Sequence, residues 1–122
     1  MSPSTFPFGS RWRRSWRLLL LSLLAVVSWF AFMPETSNDG VQHLDKVRHL
    51  LAFSTLALVA SLGWTPGRSN TLYVASGLMA YGLLIELVQT QLLTRSGSAA
   101  DWLADGVGIA IGLLLFRALR RF

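Results

Sequence analysis

From position 18 to 33 the chain carries no charged side chain, and three later stretches, 50–64, 71–85 and 106–116, are equally free of charge. Nothing else in the sequence limits the fold so tightly. Runs of this kind approach the roughly 17–25 residues a membrane-spanning helix needs. The expectation is an all-α integral membrane four-helix bundle, with transmembrane helices at about 16–33, 46–64, 71–93 and 100–119. Residues 1–15 read as a disordered basic N-terminal tail, and 16–122 as one transmembrane domain.

The 122 residues are 52% hydrophobic and 14% charged, with a mean hydropathy of +0.48. A soluble domain carries roughly 25% charged residues, so charge is too scarce here to cover a water-facing surface. The net charge of +5 raises nucleic acid as a partner. It is excluded because the arginines flank apolar runs and form no continuous face. With no cysteine present, disulfides, thiolate metal sites and a cysteine nucleophile are excluded.

In the first segment, Arg11, Arg13, Arg14 and Arg17 alternate with Trp12 and Trp16, as an interfacial anchor does. The run after them ends Ala31-Phe32-Met33, a poor match to a signal-peptidase site, so an uncleaved helix is expected. Pro34 stops it. Its apolar residues run all round, as in a lipid-facing wall. Asp45 reads as the N-cap of the second helix. Pro66-Gly67 turns the chain into the third.

Orientation follows from Lys and Arg. Arg11, Arg13, Arg14, Arg17, Arg68, Arg117, Arg120 and Arg121 fall on one side of a four-span arrangement, and only Lys46, Arg48 and Arg95 on the other. The richer side is cytoplasmic by the positive-inside rule, which puts both termini there. The start of helix two, the end of helix three and the start of helix four then share the outer side.

Acid lies at that side inside apolar sequence. Glu86 and Gln89 are near the end of the third segment, and Asp101 and Asp105 open the fourth. Ionisable groups in membrane-grade sequence are costly and mark sites. Asp45, Lys46, His49, Glu86, Gln89, Arg95, Asp101 and Asp105 are therefore the binding or proton-carrying candidates. Asp45 and His49 share a helix face, and so do Glu86 and Gln89, which offers the carboxyl a neutral partner. Glu86 is expected beside Arg95, Lys46 or His49. Asp101 reads either as a site residue or as the cap of helix four, whereas Asp105 is a turn too deep to cap. Asp45 with His49 forms a minimal metal half-site that Asp101 and Asp105 would complete, but the spacing has no tighter metal signature. No metal and no cofactor are expected. Trp102 reads as an interface anchor. Gly82 with Glu86 on helix three, and Asp105, Gly108 and Gly112 on helix four, form stripes along which those two helices are expected to pack.

Asp45-Lys46-x-x-His49-x-x-x-Phe53, Glu86-x-x-Gln89 and Arg95-x5-Asp101-x-x-Ala104-Asp105-x-x-Gly108-x3-Gly112 together resemble the VanZ-like family of small bacterial membrane proteins. The resemblance covers roughly residues 44–112, with the first helix matching in type alone. The family is named for a protein linked to teicoplanin resistance. The resemblance thus implies a multi-pass protein of the bacterial inner membrane whose site touches cell-envelope material. Where the family usually has Asn, this chain has Asp105, an added negative charge. Three functions fit. One is binding of a lipid-linked envelope precursor or glycopeptide at the outer leaflet. Another is a small proton-coupled transporter using Glu86, which four short helices could build only as a homo-oligomer. The last is an intramembrane enzyme using Glu86, Asp105 and His49 as acid and base groups. The expected partners are the bilayer and the lipid-linked precursor.

Overall fold

Four helices and no strand are found among the described residues of the computed structural model, which are 7–33, 42–91 and 99–121, the side chains of 42–45 and 121 excepted. They are α1 (Ser10–Phe32), α2 (Gln42–Leu62), α3 (Arg68–Gln89) and α4 (Ala99–Arg121). The all-α bundle expected from the apolar runs is present. Helices α1, α3 and α4 are long and apolar enough to cross a membrane. Helix α2 has Lys46, Arg48 and His49 early and Ser54, Thr55 and Ser61 in its body, and it is not among those three.

The boundaries shift for local reasons. Helix α1 begins at Ser10, well before position 16, because the Arg/Trp/Ser run holds no helix breaker; Trp12 N–H bonds the Gly9 carbonyl at 3.0 Å. The Trp16 indole folds the preceding chain back by donating to the Pro7 carbonyl at 3.0 Å. Positions 1–6 of the expected tail lie outside the described residues. Helix α2 starts at Gln42, so Asp45 lies within it and does not cap it. Helix α3 ends at Gln89 instead of 93. There the Thr90 hydroxyl donates to the Leu87 carbonyl at 2.7 Å, and such local side-chain bonds compete with the helical ladder.

The helices run up and down. Arg17 Nε at the start of α1 donates to the Gly63 carbonyl after α2, at 2.7 Å. Phe8 meets Phe116 of α4 edge-on, with ring centroids 6.0 Å apart. At the other end Gln89 Nε2 of α3 donates to the Ala31 carbonyl of α1, at 2.9 Å. Helix α2 is the most enclosed, burying Phe53, Leu56, Ala57, Val59, Ala60, Ser61 and Leu62. The first five of these join Val74, Leu78, Ile85 and Ile109 in the core. Helix α1 buries Leu20 alone, in keeping with a wall that faces lipid.

The glycine stripe of α4 corrects the expected packing. A Cβ on Gly108 would lie 2.5 Å from the Leu50 carbonyl oxygen, and one on Gly112 would run into the Ser54 carbonyl and Ala57. Both glycines therefore admit the backbone of α2, not α3. Only the Asp105 end of the stripe meets α3, at Gly82, where a Cβ would lie 2.7 Å from Asp105 Oδ2.

Candidate functional site

Three helix ends deliver the polar groups. His49 sits in the second turn of α2, Glu86 in the last turn of α3, and Asp105 in the second turn of α4. Each belongs to a chain segment whose next turn is apolar or glycine: Phe53 below His49, Gly82 below Glu86, Ile109 below Asp105. Phe53 and Ile109 are buried. The cluster therefore rests on an apolar floor.

His49 Nδ1 lies 2.6 Å from Asp105 Oδ1. A carboxylate can only accept, so Nδ1–H donates, and Nε2 becomes the basic nitrogen of the ring. The same Nδ1 is 4.0 Å from Glu86 Oε1. Asp105 is fully buried, Glu86 and Asp101 nearly so, and the His49 side chain is 12% exposed. A bond this short between a buried carboxylate and imidazole is of the charge-assisted kind. One turn nearer the helix ends, Lys46 Nζ stands 3.7 Å from Asp101 Oδ1, with the Lys46 side chain 41% exposed. The arrangement is a half-exposed ion pair at the rim and a His–Asp–Glu group one turn deeper.

Of the residues expected at the site, the structure joins Lys46 with Asp101, and His49 with Glu86 and Asp105. Asp101 lies inside the first turn of α4, which begins at Ala99; it does not cap the helix, but its charge suits the N-terminal end of the helix dipole. Gln89 turns away from Glu86 and straps α3 to α1 through Ala31. Arg95 and the side chain of Asp45 lie outside the described residues.

The donor set has a further capacity. One ligand atom each from His49, Glu86 and Asp105 lies within 4.8 Å of the others, a mixed nitrogen–oxygen set of the type that holds divalent cations. The half-site drawn from the sequence paired Asp45 with His49; among the described residues Glu86 and Asp105 join His49, and the side chain of Asp45 lies outside them.

Two polar contacts escaped the sequence reading. Ser28 Oγ and Tyr81 Oη are 2.5 Å apart, and Tyr81 Oη also donates to the Leu24 carbonyl at 3.2 Å, pinning α1 to α3. Trp102, expected at the interface, is half-buried and donates to the Met79 carbonyl at 3.1 Å. The bulk of tyrosine among small residues was the available signal for the first. The second had none.

A multi-pass, all-α membrane protein with a buried polar cluster at one end of its bundle is the class this geometry defines. The family model described as VanZ/LLP1 matches residues 1–120, and the chain belongs to that family. No curated protein matches it, and no solved structure does.

Proposed function

We propose that this protein is a four-span protein of the bacterial inner membrane, with both termini cytoplasmic, that holds the headgroup of lipid-linked cell-envelope material at the outer leaflet. The observation that carries the proposal is the His49–Asp105–Glu86 group set one turn beneath the Lys46–Asp101 rim. Carboxylates and a neutral imidazole nitrogen accept hydrogen bonds, so the deeper group suits sugar hydroxyls or an ammonium. Lys46 at the rim suits a phosphate. A glycopeptide with amino-sugar groups offers the same donors, which links this site to the antibiotic-response role of the family's namesake.

The test is mass spectrometry of lipids co-purified with wild type and with Glu86→Gln. A hydrogen bond to a charged group contributes about 1.5–3 kcal/mol, so the variant is expected to retain about ten- to a hundred-fold less sugar-bearing lipid. Identical lipid profiles from equally folded protein would overturn the proposal. A second reading, an intramembrane acid–base enzyme, is favoured by the 2.6 Å His49–Asp105 bond, which orients an imidazole as a general base requires. Turnover of a lipid-linked substrate by wild type and not by His49→Gln would select it. The apolar floor of Phe53 and Ile109 speaks against a proton path through one chain, so the transporter reading rests on an oligomer.

Orientation has its own test, which the absence of cysteine makes clean. Single cysteines at positions 38 and 97 are expected to react with an impermeant reagent added outside, and those at 10 and 68 to stay silent. The eight-to-three distribution of Lys and Arg motivates this. Labelling at 68 with silence at 97 would place the cluster on the cytoplasmic side.

A further inference from the structure

The end of the bundle opposite the His–Asp–Glu group has its own unexplained chemistry. A groove of about 390 Å³ runs between α1 and α3, lined by Leu20, Leu24, Tyr73, Val74, Gly77 and Leu78. From Tyr73 to Tyr81, both on its wall, α3 rises about 12 Å at 1.5 Å per residue, a length suited to part of an acyl chain.

Its cationic end is built by the same helix face. Arg13, Arg17, Leu20 and Leu24 follow at spacings of four, three and four, which stacks them along one side of α1. Arg17 is held in place: its Nε donates to the Gly63 carbonyl at 2.7 Å, and its guanidinium lies 5.3 Å from the centroid of Trp64, itself on the groove wall. One donor of its fork is used there, and a guanidinium has five. Arg13 Nε is buried without a hydrogen-bond partner among the described residues.

Charge across the molecule is segregated. Among the described residues the acids Asp45, Glu86, Asp101 and Asp105 fall at the opposite helix ends, while Arg68, Arg117 and Arg120 join Arg13 and Arg17 at this one. An apolar groove headed by a half-buried Arg13 and a braced Arg17, with no acid at this end among the described residues, matches a phosphate joined to a hydrocarbon chain. We infer that this groove is a binding site for one anionic phospholipid of the surrounding bilayer, with an acyl chain between α1 and α3 and the phosphate on Arg13 and Arg17.

The inference is independent of the headgroup site at the other end. The full chain is purified from a mixture of phosphatidylglycerol and phosphatidylcholine with identical acyl chains, and the retained lipids are counted by native mass spectrometry. A basic residue near an anionic surface favours it by about five-fold, so wild type is expected to prefer phosphatidylglycerol by about five- to twenty-five-fold. Gly77→Leu fills the groove; a Cβ there meets nothing within 4 Å, so the fold survives, and total retained lipid is expected to fall about five-fold. Arg13→Gln is expected to keep the chain and reduce the phosphatidylglycerol preference by about five-fold. Equal retention of the two lipids by wild type, or undiminished retention by folded Gly77→Leu, would overturn the site. An unchanged preference in Arg13→Gln would overturn the phosphate assignment.

Discussion

Gly112→Leu is expected to leave almost no folded protein. A Cβ at this position already collides with the Ser54 carbonyl of α2 and lies 2.7 Å from the Ala57 methyl. Neither obstacle is the end of a flexible side chain. A carbonyl in a helix cannot turn aside without breaking its own hydrogen bond, so α2 and α4 must separate. Overpacking ordinarily costs about 1–3 kcal/mol and sometimes more. Leucine here exceeds that range because the displaced partner is backbone and the contact continues at Gly108. Separation would also open the short His49–Asp105 bond at the mouth of the same interface. Gly112→Ala is expected to fold with a lowered unfolding midpoint, and Gly77→Leu, which faces open space, serves as the harmless control. Monodispersity on size exclusion and the midpoint of denaturation in detergent measure all three. Wild-type behaviour of Gly112→Leu would mean that α2 does not lie in the glycine groove.

That prediction also marks where the sequence was legible and where it was not. The apolar runs could be read directly, since length and freedom from charge are properties of each segment alone. So could the gathering of His49, Glu86 and Asp105 at one end, which needs only the alternation of four helices. The partner of a small-residue stripe was not readable. Gly108 and Gly112 announce that a backbone comes close, but a stripe does not say which helix approaches. Assigning them to α3 followed from Asp105, which does meet Gly82, and the helix rotation that sends the next two glycines to α2 leaves no mark in the spacing. The direction of Gln89 was hidden in the same way. Its position beside Glu86 on one face is correct, yet its amide reaches the Ala31 carbonyl across a helix boundary. Boundaries failed where a local hydrogen bond outweighed apolar continuity, as at Thr90.

Asp105→Ala is the second change expected to have a large effect, and its comparison with Asp105→Asn separates packing from charge. Asp105 is fully buried and accepts from His49 at 2.6 Å, with Gly82 leaving room for its second oxygen. Alanine removes the acceptor and leaves a void beside a polar imidazole. Taking this acceptor from a buried donor costs about 1–3 kcal/mol, and the void adds to it, a large fraction of the total stability of a domain this small. Asparagine keeps the volume and an oxygen to accept from Nδ1, so it is expected to fold within about 1–2 kcal/mol of wild type. It is also the residue usual at this position in the family that the chain's motifs resemble. What asparagine removes is one negative charge next to Glu86. If that charge helps hold a headgroup rich in hydrogen-bond donors, the folded Asp105→Asn protein should retain less sugar-bearing lipid, with no loss of yield. Denaturation midpoints and lipid mass spectra on the same preparations read the two effects apart. Stability of Asp105→Ala equal to wild type would remove the His49–Asp105 bond from the fold. Asparagine as damaging as alanine would show that the pair is held by charge, with shape and hydrogen bonding secondary.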